Sequence, residues 1–222
     1  MATDFQIDWD RERRTGVPEA VYCAHKSPKQ IEAILRAARE FDRRIFLTRL
    51  EERSFGALPS DVRTGLDYDC ESQTAVQGGP IALKPSGIGL VCAGTSDIPI
   101  VVEACRTLGF QGHDAICIAD VGVTGLWRLM ERIDDIRRCR VVIAFAGMEG
   151  ALFSVLAGLI SAPVIAVPTS VGYGVAAEGR VALKAALASC APGVVVVNID
   201  NGFGAATAAM KILGVGQQSS EV

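Results

Sequence analysis

Residues 141–151, which read Val-Val-Ile-Ala-Phe-Ala-Gly-Met-Glu-Gly-Ala, decide the fold of this chain. The first six residues form an unbroken apolar run, which is typical of a strand buried on both faces of a parallel sheet. A short turn containing two glycines follows, and a helical pattern begins at Ala151. A strand that passes through a small turn into a helix is the repeating unit of an α/β protein.

The same pattern recurs along the rest of the chain. Further apolar runs of strand length occupy residues 88–92, 115–119, 164–167 and 194–199. Helical patterns occupy residues 98–108 (with Gly109 as a stop), 126–137, 151–160, 178–189 and 205–213. This alternation predicts a three-layer α/β fold, a doubly wound parallel sheet with helices on both faces.

The first part of the chain is polar and rich in arginine. Ser27 as N-cap, Pro28 at the first helical position and Gln30 three residues after the cap predict a helix start. Residues 44–50 have the pattern of a short strand. Because apolar residues are few, we interpret this part as a small N-terminal arm or subdomain that packs on something else, such as another subunit. The predicted limits are 1–79 for this helical arm region, 80–214 for the α/β domain and 215–222 for a disordered tail.

Composition excludes several classes of function. The chain has 222 residues, half of them hydrophobic, and a formal net charge of −3, so nothing predicts a nucleic-acid partner. No apolar run is long enough to cross a bilayer, and Met1-Ala2-Thr3-Asp4 does not read as a signal peptide. Seven cysteines without a CxxC pair indicate reduced thiols, and hence a cytoplasmic protein. Only two histidines argue against a metal hydrolase or a Ser-His-Asp triad.

Small polar loops follow the predicted strands, and in a parallel sheet such loops share one edge and bind ligands there. Gly94-Thr95-Ser96-Asp97 precedes a helix, so its amides can bind a phosphate, although helix capping alone would explain the same residues. A carboxylate such as Asp97 beside a phosphate would need a ribose hydroxyl or Mg²⁺. Neither GxGxxG nor GxxxxGK[ST] occurs.

The other loops leave open a structural and a functional reading. Glu149 either interacts with a helix dipole or faces a ligand. The loop 169–174, with two hydroxyls, two glycines and an aromatic ring, suits a carboxylate or phosphate clamp. Asp200 and Asn201 either form an Asx-turn or bind a ribose or metal.

Cys190 differs from the cysteines that sit in apolar runs or on helix stripes, for which the core is the simplest assignment. It follows a predicted helix and precedes the turn Ala191-Pro192-Gly193. The carbonyl end of a helix disfavours a thiolate. A nucleophilic Cys190 would therefore need a positive charge nearby, which a cationic substrate could supply.

Several sequence blocks resemble the LarB family, whose catalytic domain is similar to phosphoribosyl-aminoimidazole carboxylase (PurE) and has a flavodoxin-like fold. These blocks are Ala93-Gly94-Thr95-Ser96-Asp97, 146–151, 163–174, Ser189-Cys190-Ala191-Pro192-Gly193 and 196–204. Arg14, Gly16, Pro18-Glu19, Tyr22 and Lys26 resemble the N-terminal region of that family.

The resemblance implies a reaction. Such enzymes carboxylate the pyridinium ring of nicotinic acid adenine dinucleotide at C5 with CO₂ or bicarbonate and cleave its phosphoanhydride. The products are pyridinium-3,5-biscarboxylic acid mononucleotide and AMP, and the step is the first in nickel-pincer cofactor synthesis. It implies Cys190 as nucleophile and Asp97 or Glu149 as proton acceptor or Mg²⁺ ligand. The residues expected to bind substrate and phosphate are Gly94, Thr95, Ser96, Gly147, Met148, Thr169, Ser170, Gly172, Tyr173, Asn198, Asp200 and Asn201. We also expect a homo-oligomer, by resemblance an octamer.

One departure stands out, because Trp127 occupies a position where the family is expected to have histidine. An indole cannot transfer a proton, and Phe153 also replaces an expected proline. Two other functions therefore stay open. One is a PurE-type aminoimidazole ribonucleotide carboxylase or mutase, and the other is a non-catalytic nucleotide-binding paralogue.

Overall fold

Two β-sheets, one in each part of the chain, organise the protein. The structure is a computed structural model, and it describes residues 5–215. The chain divides into two compact units between Ala82 and Leu83. The first unit contains a four-stranded sheet and the second a five-stranded sheet. No helix within the described residues has the length and apolar composition needed to span a membrane.

The first unit is a small mixed sheet covered by helices. Its elements are α1 (Arg11–Thr15), β1 (Ala20–Tyr22), α2 (Pro28–Glu40), β2 (Ile45–Thr48), α3 (Glu52–Gly56), α4 (Ser60–Arg63), β3 (Leu66–Asp69) and β4 (Thr74–Gln77). The strand order is β1-β2-β4-β3, with β1 parallel to β2 and the other pairs antiparallel. The predicted capping box at the start of α2 is present, with Ser27 Oγ accepting from Gln30 N at 3.3 Å.

This unit has a hydrophobic core of its own, which the sequence analysis did not expect. Ile31 and Leu35 of α2 are fully buried, and β2 is buried along its whole length. Arg39 donates to the backbone oxygens of Asp61 and Val62 at 3.0 and 2.9 Å. A few large apolar residues and hydrogen bonds of this kind complete the core, although the strands are too short to show a clear alternation of apolar residues in the sequence.

The second unit is a doubly wound parallel sheet. Its elements are β5 (Ile88–Cys92), α5 (Ile98–Phe110), β6 (Ile116–Ile118), α6 (Leu126–Arg137), β7 (Val141–Ala146), α7 (Ala151–Leu159), β8 (Val164–Pro168), α8 (Arg180–Leu187), β9 (Val194–Val196) and α9 (Gly202–Val215). All strands pair in parallel in the order β6-β5-β7-β8-β9. The predicted α/β class and parallel sheet are therefore confirmed.

Two apolar cores, one on each face of this sheet, give the three layers. One core combines sheet residues with α6, α7 and α8, and the other combines them with α5 and α9. The predicted stop of α5 at Gly109 was wrong, since the helix includes Gly109 and ends at Phe110. Of the predicted tail 215–222, only Val215 lies within the described residues, and it ends α9.

Candidate functional site

A cavity of about 240 Å³ opens at the carboxyl edge of the five-stranded sheet. The loops after β5, β6 and β7 form most of its wall, and Val171 from the loop after β8 completes it. In the sheet, β6 lies on one side of β5, and β7, the next strand along the chain, lies on the other side. In open α/β sheets, ligands bind at such a switch of strand order.

Asp97 is the central buried charge of this edge. Its side chain lines the cavity, yet the residue is only 2% exposed. Asp97 Oδ2 accepts from Gly94 N at 2.9 Å, and Oδ1 accepts from Thr169 Oγ1 at 2.6 Å. Burial raises the pKa of Asp97, the two hydrogen bonds oppose that rise, and the nearby Asp200 carboxylate adds to it. Asp97 therefore joins the loops after β5 and β8, and its carboxyl group is largely shielded from solvent.

The loop after β7 is fixed by backbone contacts with the loop after β8. Met148 N donates to Val171 O at 2.9 Å. A Cβ on Gly147 would lie 2.0 Å from Val171 O, so only glycine allows this approach. Met148 has φ of 51°, an uncommon left-handed conformation for a large side chain. Glu149, held between these fixed residues and Gly150, is exposed and lines the cavity.

The loop after β9 forms hydrogen bonds within itself and with the loop after β8. Asp200 Oδ1 accepts from Ser170 N at 2.7 Å, and Asp200 N donates to Pro168 O at 2.8 Å. Asn201 Oδ1 accepts from Gly204 N at 2.8 Å and so caps α9, while Asn198 Oδ1 accepts from Ile199 N at 2.9 Å. These side chains do not line the cavity. The contact of Asn201 is local, as in the structural alternative, whereas Asp200 Oδ1 reaches the backbone of the loop after β8.

The expected substrate-binding residues thus divide into two groups. The cavity is lined by Gly94, Ser96, Asp97, Gly147, Met148 and Glu149. The remaining expected residues lie in the loops after β5, β8 and β9 and do not line the cavity; they are Thr95, Thr169, Ser170, Gly172, Tyr173, Asn198, Asp200 and Asn201. Tyr173, at 78% exposed, extends into solvent.

One wall of the cavity, the loop after β6, was not predicted from the sequence. Gly122, Val123 and Thr124 line it. A Cβ on Gly122 would lie 2.8 Å from Ala93 O, so the loops after β5 and β6 pack backbone against backbone. The signal was present, because a glycine-bearing segment follows a predicted strand here as it does in the other four loops.

Trp127 stands in the first turn of α6, just beyond this loop. Its side chain is 64% exposed and is not part of the cavity wall. The next residue, Arg128, forms an ion pair with Asp120 at 2.5 Å. Trp127 therefore takes part in neither the buried network nor the lining of the cavity.

Cys190 lies at the opposite, amino edge of the same sheet. It precedes β9 by four residues, whereas the cavity lies beyond the last residues of the strands. A strand of five residues is roughly 16 Å long at about 3.3 Å per residue, and this length separates the two edges of the sheet. Cys190 is exposed, and Ser154 Oγ and Ser189 Oγ, 2.7 Å apart, tie its turn to α7. Within one chain, the structure does not bring Cys190 to the cavity.

The donor set of the site bears on the expected Mg²⁺. Among residues 5–215, no group of three or more histidine, cysteine, aspartate or glutamate side chains converges in a way that could hold a metal. Both oxygens of Asp97 already accept hydrogen bonds from the chain. The residues therefore fit Mg²⁺ only if a phosphorylated ligand supplies most of its oxygen donors.

The fold and site define a class: a PurE-like, flavodoxin-like domain with a ligand cavity at the switch of strand order. Comparison with known families is consistent with this class and extends it to the rest of the chain. Residues 2–78 match the LarB/PurE-like N-terminal domain, and residues 87–221 match AIR carboxylase. The chain belongs to the LarB family and carries a PurE-like domain. Its class of activity is that of a carboxylase-type enzyme.

A relative extends over most of the chain. It is an uncharacterized protein of Methanocaldococcus jannaschii (MJ0165), 37% identical over 214 residues. The alignment covers 90% of this chain and 80% of the relative. Both units are therefore present together in a second protein of the family.

Proposed function

We propose that this protein carboxylates the pyridinium ring of nicotinic acid adenine dinucleotide at C5 and cleaves the phosphoanhydride. CO₂ or bicarbonate is the co-substrate, and the products are pyridinium-3,5-biscarboxylic acid mononucleotide and AMP. This would be the first step of nickel-pincer cofactor synthesis. The observation that carries the proposal is the union, in one chain, of a LarB-type N-terminal domain, a PurE-like cavity and an exposed Cys190.

The cavity supports binding of a charged nucleotide. The segment Gly94 to Ser96 leads into α5, and the first turn of a helix attracts anions through its free amides. Gly94 and Gly147 add no side chains, so phosphate can approach the backbone closely. In the proposal, phosphate binds at the loop after β5, and the pyridinium ring lies towards Glu149.

The chemistry requires a nucleophile because the C5 atom of a pyridinium ring is electron-poor. The thiolate of Cys190 adds to C4, which converts the ring to a dihydropyridine with a nucleophilic C5. C5 then forms a bond to the carbon of CO₂, a base removes the C5 proton, and the ring expels the thiolate as it regains aromaticity. This is covalent catalysis, which divides one difficult step into several easier ones.

Glu149 is the better candidate for the base. Its carboxylate is exposed at the cavity, whereas both oxygens of Asp97 are engaged by Gly94 and Thr169. In this proposal Asp97 holds the loops in place, and Glu149 accepts the proton. If Mg²⁺ takes part, Glu149 and the phosphates of the substrate would hold it, and it would withdraw charge from the anhydride.

The position of Cys190 places a condition on this mechanism. The thiol and the cavity lie at opposite edges of one sheet, so Cys190 must act on a substrate held by a second copy of the chain. A homo-oligomer would bring the amino edge of one sheet to the carboxyl edge of another. A homo-oligomer thus becomes a requirement of the proposed chemistry, and the expected octamer would meet it.

The test is incubation of purified protein with nicotinic acid adenine dinucleotide, bicarbonate and Mg²⁺, followed by mass spectrometry. The proposal predicts a mononucleotide product with one added carboxyl group, together with AMP. Isotope-labelled bicarbonate identifies the source of the carboxyl carbon. The same mixture with the Cys190→Ala protein is the matched control, and we expect no carboxylated product from it.

Two other functions are distinguished by this incubation and by a parallel one with aminoimidazole ribonucleotide. A PurE-type enzyme would instead carboxylate aminoimidazole ribonucleotide, and the matched PurE-like domain is the observation in its favour. A non-catalytic paralogue would bind the dinucleotide and leave it unchanged, and Trp127 in place of histidine favours that reading. Turnover of aminoimidazole ribonucleotide, or binding without turnover, would therefore replace the proposal.

A further inference from the structure

A pair of cysteines lies on the second unit, away from both the cavity and Cys190. Cys105 belongs to α5, and Cys117 belongs to the edge strand β6. Each thiol shifts the pKa of the other through a side-chain hydrogen bond. Cys105 is half-buried, and Cys117 is exposed. Both are free thiols, and neither has a role in the proposed reaction.

The fold explains why these thiols meet. Cys117 pairs with Leu90 in the parallel register of β5 and β6. Leu90 belongs to the core under α5 and α9, so Cys117 faces the same side of the sheet. Cys105 packs against that core from α5. A helix and a strand that are fixed independently thus place both thiols on the same side of the sheet.

The pair is also chemically asymmetric. The hydrogen bond from Cys117 lowers the pKa of Cys105 to about 7, despite burial. The same bond, with burial, raises the pKa of Cys117. Cys105 is therefore the thiol of the pair that ionises first, and thiolates are the form that reacts with oxidants.

We propose that Cys105 and Cys117 form a reversible disulfide, a built-in oxidation site that ties α5 to the edge strand β6. With a hydroperoxide, the Cys105 thiolate attacks one peroxide oxygen, and the other oxygen leaves as an alcohol or water. The Cys117 sulfur then attacks the resulting sulfenic acid, forms the S–S bond and releases water. Overall, two thiols and one hydroperoxide give one disulfide, one alcohol and one water. A dithiol reductant reverses the change.

Cys92 is the nearest competing partner. It lies on β5, two residues beyond Leu90, and is therefore diagonal to Cys117 across the strand pair. Diagonal neighbours are roughly 7–8 Å apart, beyond the usual reach of a disulfide. Burial also raises the pKa of Cys92, which keeps it a thiol. Cys105 is thus the expected partner.

The test is treatment of the full-length protein with a small excess of hydrogen peroxide, followed by intact mass and peptide mapping under non-reducing conditions. We expect each chain to lose two hydrogens, with a cross-link between the peptides that contain Cys105 and Cys117, and recovery after dithiothreitol. Cys105→Ser and Cys117→Ser should abolish the cross-link, and Cys92→Ser should retain it.

Mapping of the wild-type protein decides the matter even if a variant fails to fold. Oxidation that modifies Cys70 or Cys190 but leaves Cys105 and Cys117 free would overturn the proposal. A cross-link from Cys92 to Cys117 would overturn it as well. The proposal does not depend on the proposed carboxylation, because no measurement in it uses a substrate.

Discussion

The two edges of the five-stranded sheet differ in construction. At the carboxyl edge, glycines, the buried Asp97 and backbone hydrogen bonds join neighbouring loops into one rigid wall. At the amino edge, an exposed Cys190 lies in a short turn tied mainly by a pair of serines. In the proposed reaction, one edge binds the substrate and the other presents the thiol.

This contrast means that, in the proposed reaction, the substrate-binding loops and the nucleophile lie at different places in one chain. A parallel sheet collects ligand-binding loops at its carboxyl edge. Residues that precede a strand lie at the far edge, a full strand length away. Symmetric assembly is the simplest way to bring two such edges together, since every copy then supplies both functions.

The largest expected effect comes from separating the two edges genetically. Cys190→Ala should abolish carboxylation without loss of folding, because the side chain is exposed. Glu149→Gln should also inactivate, from the cavity side. Co-expressed chains carrying one change each should regain about one quarter of wild-type activity, because a random assembly pairs an intact cavity with an intact thiol at that frequency.

Cys70→Ala is the matched control for the thiol, because Cys70 is also exposed but belongs to the first unit. It should retain full activity. Co-expressed variants that stay inactive, although mixed assemblies are isolated, would show that both residues must come from one chain. That result would contradict the shared site.

Gly147→Ala tests whether the carboxyl edge depends on close backbone packing. The new methyl group would lie 2.0 Å from Val171 O, so the loops must separate, and we expect a loss of about 3 kcal/mol in stability together with weaker nucleotide binding. Gly158→Ala is the control, because Gly158 lies in α7 with no neighbour within 4 Å of the added carbon. Denaturant unfolding should show it equal to or up to about 1 kcal/mol more stable than wild type.

Thr169→Val removes the hydroxyl that donates to Asp97 while keeping the shape of the side chain. Hydrogen bonds to charged groups contribute about 2 kcal/mol, and we expect a destabilisation of that size. The measurement is the urea midpoint at pH 7. An unchanged midpoint would mean that the bond at 2.6 Å does not stabilise the edge.

Asp97→Asn has the smallest expected effect, a change in how stability depends on pH. Burial raises the pKa of Asp97 above its ordinary value of 3.8, so the folded state binds its proton more tightly than the unfolded state. The ionised side chain therefore lowers wild-type stability as pH rises from about 4 through the raised pKa. The variant lacks this titration, and its stability relative to wild type should rise with pH by at most about 1.4 kcal/mol per unit.

Unfolding curves between pH 3.5 and 7 measure this difference. Thr169→Val provides the comparison, since it keeps the carboxylate and should show at least as strong a dependence on pH. Equal slopes for wild type and Asp97→Asn would indicate that the carboxylate titrates normally.

Periodicity predicted the second unit well, because its strands are buried on both faces and read as unbroken apolar runs. The limits of β5, β7 and α6 were placed as the structure has them. The strands β1, β3 and β4 were missed because, unlike the equally short β6 and β9, they do not lie within a longer apolar run. Glycines in the sequence also located the loops after β5, β7 and β8, although the loop after β6 was missed.

Two features were not predicted from the sequence, for different reasons. Cys190 stands between a helix and the strand that follows it, a place that in a parallel sheet lies at the amino edge, so the pattern contained this signal although it was not used. Asp97 reads as a helix cap, and its bond to Thr169, 72 residues away, exists only in the folded sheet. Local signals therefore gave the residue types of the edge and left their partners undefined.

The start of α9 depends on Glu103, a residue of α5. This buried carboxylate of α5 accepts from Gly202 N at 2.9 Å and Phe203 N at 3.3 Å, and so holds the start of α9. The two ends of this contact are 99 residues apart, so the last helix docks only after most of the domain has been synthesised. A chimera that receives α9 from a relative therefore still needs an acid at position 103 of its own α5, or the amides of Gly202 and Phe203 lose this acceptor.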